Sequence, residues 1–280
     1  MNDSNGGDDG NNASVARFYD QLAADYHLIY DDWDRSTERQ GRALDTVIRA
    51  ALGPEPAAVL DCACGIGTQA VGLALRGHRV TGTDISPAAA ARAGREAARR
   101  GLEMPVRAAD MRALPFGDGS FDVVVCADNS LPHLLTDDDL FTALGEMRRV
   151  LREGGLLLVS TRPYDQIRRS RPVSTAPQLH GSGAGRTVTF QLWDWSEDGE
   201  RYDLEHFQLI PSGDEAGDGA GGDTGGDWRV EVRRTTYRAL TERQLAALVT
   251  DAGFDGPAWR QPEDSGFFQP LLTARRHAAP

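Results

Sequence analysis

Over residues 14–52 apolar positions recur at helical spacing: Phe18, Leu22, Leu44, Val47, Ile48 and Leu52. Gly53-Pro54 ends that segment. Short apolar runs then alternate with helical stretches. Ala57–Cys62 reads as a strand, followed by Gly65-Ile66-Gly67 and a helix over 68–76. Arg79–Asp84 is a second strand, and Ser86-Pro87 starts an Ala-rich helix to Arg100, with the serine as N-cap. Val106–Ala109 and Phe121–Ala127 are strands three and four. Asp137–Leu151 is a helix closed by Glu153-Gly154-Gly155, and Leu156–Ser160 is strand five. Apolar strands separated by helices imply an α/β architecture, a mostly parallel sheet with helices on both faces.

After strand five the pattern changes. Residues 187–195, 201–210 and 228–239 alternate without helices between them and read as an antiparallel insert, spanning 162–240. The Gly/Asp-rich stretch 211–227 reads as a flexible loop inside it. Thr241–Asp251 returns to helix, capped by Gly253, and 267–275 is a last strand whose Pro270 suggests an edge or a bulge. The expected organisation is a disordered acidic tail over 1–13, a core over 14–161 and 241–276 with an N-terminal helical lid, and the inserted subdomain over a substrate site.

Composition narrows the chemistry. All 30 basic residues among the 280 are arginines. Without lysine there is no Schiff-base chemistry, Walker-type ATP site or kinase lysine. The net charge is −12, and residues 1–12 and 211–227 together carry eight acids and no base. Neither the whole chain nor its body is basic, so no nucleic-acid partner is expected. No apolar run approaches the ~18 residues of a membrane helix, and the N-terminus lacks a signal-peptide pattern, so no membrane association and a cytoplasmic location are expected. Cys62, Cys64 and Cys126 are too few for a disulfide framework, and no Cys/His group has zinc-ligand spacing, so no metal is expected.

Four segments carry candidate chemistry. VLDCACGIG (Val59–Gly67) ends a strand on an acid and opens a helix through glycines that let backbone pass close to a ligand. As G-x-G-x-x-A over Gly65, Gly67 and Ala70 it also fits a dinucleotide fingerprint. Asp84 follows Gly67 by 17 residues at the end of strand two, where a carboxylate accepts both ribose hydroxyls of a nucleoside. Asp110 and Met111, after strand three, suit an adenine amino group and ring. Asp128 to His133 leave the C-terminal end of strand four, a central strand, where open α/β sheets place their ligands. There Asn129 suits a substrate contact. Arg162, just past strand five, suits a carboxylate through two parallel hydrogen bonds.

In this order, VLDCACGIG, TGTDIS, AADM, FDVVVCADNSLPHL and VLREGGLLLVS resemble a class I S-adenosylmethionine-dependent methyltransferase over residues 14–161 and 241–276. Asn129-Ser130-x-x-His133 and GGLLLVSTRPYD (Gly154–Asp165) are similar to the glycine N-methyltransferase and glycine/sarcosine methyltransferase group. The resemblance implies a Rossmann-like sheet and S-adenosylmethionine as methyl donor. It implies cofactor contacts from Tyr19, Arg39, Asp61, Ala63, Gly65 and Gly67, and from Asp84, Ile85, Asp110, Met111, Ala127 and His133. In this reading Arg39 grips the methionine carboxylate, with Arg35 as the fallback. Asn129 and Arg162 are the substrate-side residues, and Tyr26, Tyr30 and Trp33 join Tyr19 in a lid. The sequence departs from the group at Pro163, where Asn stands, at Ser160, where Asp is usual, and at Asp128, which replaces a Gly.

The expected reaction is methyl transfer to a small-molecule substrate, the amine of an amino acid or related carboxylate. A larger secondary metabolite is the alternative acceptor. A nicotinamide oxidoreductase and a non-catalytic cofactor-binding protein are the rival classes, and a homo-oligomer is left open.

Overall fold

A computed structural model describes residues 8–181, 186–212 and 228–277. The apolar runs form one seven-stranded sheet. Its strands are β1 (Ala58–Asp61), β2 (Arg79–Asp84), β3 (Val106–Ala108), β4 (Phe121–Cys126), β5 (Leu151–Ser160), β10 (Phe254–Arg260) and β11 (Leu271–Arg276). The order is β10-β11-β5-β4-β1-β2-β3, parallel from β5 to β3, with β11 antiparallel to β5 and to β10. Alternate residues of each strand enter opposite cores. Val59, Val123 and Leu158 pack with Leu44 and Ile48 of α2 (Trp33–Leu52), Val71 of α3 (Thr68–Ala74) and Ala93 of α4 (Pro87–Arg99). Leu60, Val124 and Leu157 pack with Leu140 and Met147 of α5 (Asp137–Val150) and Leu245 of α7 (Glu242–Asp251).

Helices α2 and α3 touch backbone to backbone. A Cβ on Gly41 would lie 2.4 Å from the Gly72 carbonyl carbon, and one on Gly72 would lie 2.5 Å from the Thr37 oxygen. Gly72→Ala must therefore push the helices apart. We expect a loss of roughly 1–3 kcal/mol, the usual range for overpacking, measurable by urea denaturation. The effect should reach the site, because α3 carries the Gly65–Gly67 turn at its N-terminus.

Three expectations need correction. The tail expected over 1–13 is helical from Asp8, the start of α1 (Asp8–Leu22), because Asn11 and Asn12 bond into the body, to the His133 carbonyl and the Asp110 carboxylate. The single helical stretch 14–52 is two helices, separated by a 3₁₀ turn at Tyr26–Ile29. The last strand starts at Leu271, after Pro270, and lies inside the sheet. The edge is β10, an unexpected strand whose Gly256-Pro257 coincides with a register shift between Asp255 and Ala258.

After β5 the short helix α6 (Tyr164–Ser170) leads into the insert. The insert forms a separate antiparallel sheet of β6 (Gln178–His180), β7 (Thr187–Trp195), β8 (Arg201–Pro211) and β9 (Trp228–Arg238), in that order. β6 is an addition to the three strands expected. The loop expected at 211–227 lies outside the described residues from 213 onward. Tyr237 and Thr235 of β9 rest on His133, and Gln208 of β8 bonds the Asp25 carbonyl. The small sheet thus packs on α1, on the turn that follows it and on the segment that follows β4.

Candidate active site

Strand β1 ends at Asp61, 1 % exposed, in a chain reversal built on positive backbone φ at Gly65 (54°) and Gly67 (99°). These values suit glycine. A side chain on Gly67 would also crowd Ala93 at 3.3 Å. The turn opens a cleft with an empty volume of about 720 Å³. Eight of the residues expected to touch the cofactor line it: Tyr19, Ala63, Gly65, Asp84, Ile85, Asp110, Met111 and His133. Asp61, Gly67, Ala127, Asn129 and Arg162 do not line it, although all but Arg162 directly adjoin residues that do.

Asp84 closes the floor. One carboxylate oxygen accepts from the Gly65 amide at 2.8 Å and the other from the Ser86 amide at 2.8 Å. Each oxygen keeps a lone pair for a further donor, so the residue fits a ribose diol. Burial pushes its pKa up to about 6, opposed by those two amide bonds. Asp61 is held less well. It accepts one long bond, 3.4 Å, from the Ala63 amide, and its buried Oδ2 has no partner among the described residues. Burial pushes its pKa up to about 7. An orphaned carboxyl oxygen behind the turn fits a cationic ligand group on the cleft side, which would favour its ionised form.

A raised folded-state carboxylate pKa binds protons that the unfolded chain has released. The Asp61 contribution to stability is therefore present below the unfolded pKa near 3.8 and is lost as pH rises through about 7. Asp61→Asn is expected to leave the ligand-free protein's Tm unchanged near pH 4 and to raise it at pH 8, by a stabilisation of roughly a few kcal/mol. Thermal melts of both proteins across that range check it.

Asp110 is engaged already, by the Arg112 amide at 2.8 Å, its guanidinium at 2.9 Å and the Asn12 amide at 3.0 Å. His133 shares a 2.8 Å hydrogen bond with the Tyr19 phenol and a 3.3 Å one with the Thr235 hydroxyl, and packs on the Tyr237 ring. Burial lowers its pKa to about 3, so it is a neutral imidazole at pH 7.

Arg39 is not brought into the cleft. It lies exposed on α2 in an adjoining cavity, with Arg35, Tyr30, Phe268 and His180. The two cavities share one wall residue, Asp128. Asp128 and Asn129 both have left-handed backbone, φ 56° and 64°, an uncommon pair for non-glycine residues. Ser160 fixes this turn. Its hydroxyl accepts from the Asp128 amide at 2.7 Å and donates to Gln269 Oε1 at 2.9 Å. The Gln269 amide then donates to Asp128 Oδ1 at 3.2 Å.

Arg162 stands on the far side of that turn. Its backbone amide donates to Asn129 Oδ1 at 3.1 Å and its Nη1 to the Tyr202 hydroxyl at 2.9 Å. The guanidinium lies 5.0 Å from the Trp193 ring and 5.1 Å from the Tyr237 ring. Among the described residues no carboxylate pairs with it. The Asn129 Nδ2 is buried there with no hydrogen-bond partner among the described residues. Sequence reasoning missed Asn12 and Gln69 in the cleft wall, Tyr237 and Thr235 on His133, and Gln269 on Asp128. Two further wall residues had left a trace: Ser130 in the motif after strand four, and Asp128 as a departure from the resemblance.

This arrangement has counterparts. Residues 59–155 match the family model described as a methyltransferase domain. The glycine/sarcosine N-methyltransferase of Parasynechococcus marenigrum is 36% identical over 137 residues, covering 49% of this chain and 48% of that protein. The demethylmenaquinone methyltransferase of Thermus thermophilus is 42% identical over 120 residues, covering 42% and 51%. The chain spans about half the length of these curated relatives. In fold it is similar to an S-adenosylmethionine-bound amino pentose methyltransferase from Micromonospora echinaspora, with TM-score 0.66, 22% identity and coverage of 90% of this chain and 95% of that one. The chain carries a class I S-adenosylmethionine-dependent methyltransferase domain. Among the described residues no helix is long and apolar enough to cross a membrane.

Proposed function

We propose that this protein transfers a methyl group from S-adenosylmethionine to the amine of a small carboxylate, of the glycine or sarcosine type. One observation carries the acceptor class: Arg162 is held by rings and a phenol and has no carboxylate partner among the described residues. A desolvated guanidinium without a counter-ion is suited to a ligand carboxylate. In this reading Asp84 takes the ribose, Met111 and Asp110 face the adenine, and the unpartnered oxygen of Asp61 faces the cationic methionine end. Residues 162–240 then act as the cap over the acceptor.

When bound, the cofactor supplies an electrophilic methyl on a sulfonium. The protein need not supply a covalent nucleophile. Its task is alignment, which in well-oriented systems is worth up to ~7–11 kcal/mol. Asn129, held by the Arg162 amide, and the phenols of Tyr19, Tyr26 and Tyr237 border the place where the amine must stand.

The fold similarity to an amino pentose methyltransferase extends over the small sheet, beyond the half-chain shared with the glycine/sarcosine relative, and favours an amino sugar as the second reading. The deciding assay follows S-adenosylhomocysteine release with glycine, sarcosine, their carboxamides and an amino pentose. Turnover of the acids but not the amides supports the proposal. Turnover of the sugar alone replaces it.

A further inference from the structure

Asp128 and Arg162 carry opposite charges, flank the same turn and feel each other electrostatically, yet no ion pair joins them. Each is held by its own frame. Asp128 Oδ1 is held by Gln269, and its side chain also meets the Tyr26 phenol, while Arg162 is fixed by Tyr202 and the two rings. Asp128 is partly exposed, and it is the point where the cofactor cleft opens into the second cavity, whose empty volume is about 1330 Å³. The frames hold a carboxylate and a guanidinium apart on either side of the Asp128-Asn129 turn.

We propose that Asp128 and Arg162 together form a site for a zwitterion, Asp128 binding the acceptor's ammonium group and taking its proton before transfer, with the acceptor arriving through the second cavity. The inference rests on the amino-acid reading above. The proton balance is explicit. The ammonium gives one proton to the Asp128 carboxylate, and the neutral amine attacks the methyl carbon. The N–C bond forms as the C–S bond breaks, and the sulfonium becomes a neutral thioether. The methylated product is again an ammonium, and Asp128 returns its proton to solvent. Burial raises the pKa of Asp128, which suits a proton acceptor, while Arg162 opposes that rise. The phenols of Tyr19, Tyr26, Tyr30 and Tyr237 also face it, none of them anionic near neutral pH, and Asp31, Asp32, Arg35, Arg39 and His180 line the second cavity with it.

The test compares the wild type with Asp128→Asn and Asp128→Gly. Glycine suits the left-handed φ of 56°, so the second variant removes the carboxylate without straining the turn. The probes are glycine as acceptor, acetate as an inhibitor with the anion and no ammonium, and S-adenosylhomocysteine for the cofactor cleft. Both variants are expected to lose roughly 10- to 100-fold in kcat/KM for glycine, the scale of one charge-assisted hydrogen bond. Acetate should inhibit as well or better, because a repelling charge has gone, and the S-adenosylhomocysteine Kd should stay within about twofold. Parallel weakening of glycine and acetate would mean a structural role and overturn the proposal. So would a loss confined to S-adenosylhomocysteine, or kinetics equal to the wild type. If the wild type itself methylates neither glycine nor sarcosine, the amino-acid reading falls and the zwitterion site with it. If the wild type is active and the variants match it, the zwitterion site alone falls.

Discussion

Asp84→Asn is expected to weaken S-adenosylhomocysteine binding by about two to three orders of magnitude while the protein stays folded. The carboxylate is 6 % exposed, and both its oxygens already accept backbone amides, from Gly65 and Ser86. A ribose diol adds two bonds to an ionised acceptor. At roughly 1.5–3 kcal/mol for each charge-assisted bond, losing them costs a factor of about 10² or more. Asparagine does further harm locally, since its NH₂ must face one of the two amide donors and push on the Gly65 turn. Protonation should mimic part of this. With the Asp84 pKa near 6, affinity is full above that value and falls as pH drops through it, by up to about tenfold per unit. The asparagine variant should lose that pH dependence. Titration calorimetry between pH 5 and 8 measures both effects. Full affinity in the variant, or a pH slope shared by both proteins, would remove Asp84 from the ribose role.

The parts of this site legible in the sequence are those fixed by local backbone chemistry. Gly65 and Gly67 announce a turn that few other residues allow, and Asp84 is the buried end of a strand, where an acid has no packing reason to stand. Strand β4, FDVVVC, is apolar on both faces because it lies in mid-sheet. What long-range contact decides was not legible. Helix α1 begins in a polar, acidic stretch with no apolar face to announce it, and Asn11 and Asn12 bond to loops about a hundred residues away. Strand β10 hides behind Gly256-Pro257, and its partner β11 comes after it in the chain. Arg39 shows how a small register error matters. It stands five residues before Leu44, which at ~100° per residue is about 140° around the helix from the buried face. The left-handed pair Asp128-Asn129 carries only a weak signal, two residue types that tolerate this conformation, because Ser160, Gln269 and Arg162, far away in the chain, fix it.

Arg162→Ala is expected to raise the KM for glycine or sarcosine by roughly 10²-fold, with S-adenosylhomocysteine affinity nearly unchanged. A carboxylate anchor remote from the transferred methyl serves the ground state and the transition state alike, so KM should move more than kcat. The substitution also empties the space between Trp193 and Tyr237 and takes the donor from the Tyr202 hydroxyl, so stability will fall as well. Arg162→Lys separates the two effects. It keeps the positive charge and most of the volume but has one ammonium in place of the planar fork, so it should restore stability more fully than KM. Carboxamide acceptors give the sharper control. Their poor turnover in the wild type should not worsen in either variant, because the group that Arg162 reads is already missing. Were glycine and S-adenosylhomocysteine affinities to fall together in both variants, Arg162 would be a support of the cap, with its guanidinium satisfied by the surrounding rings alone.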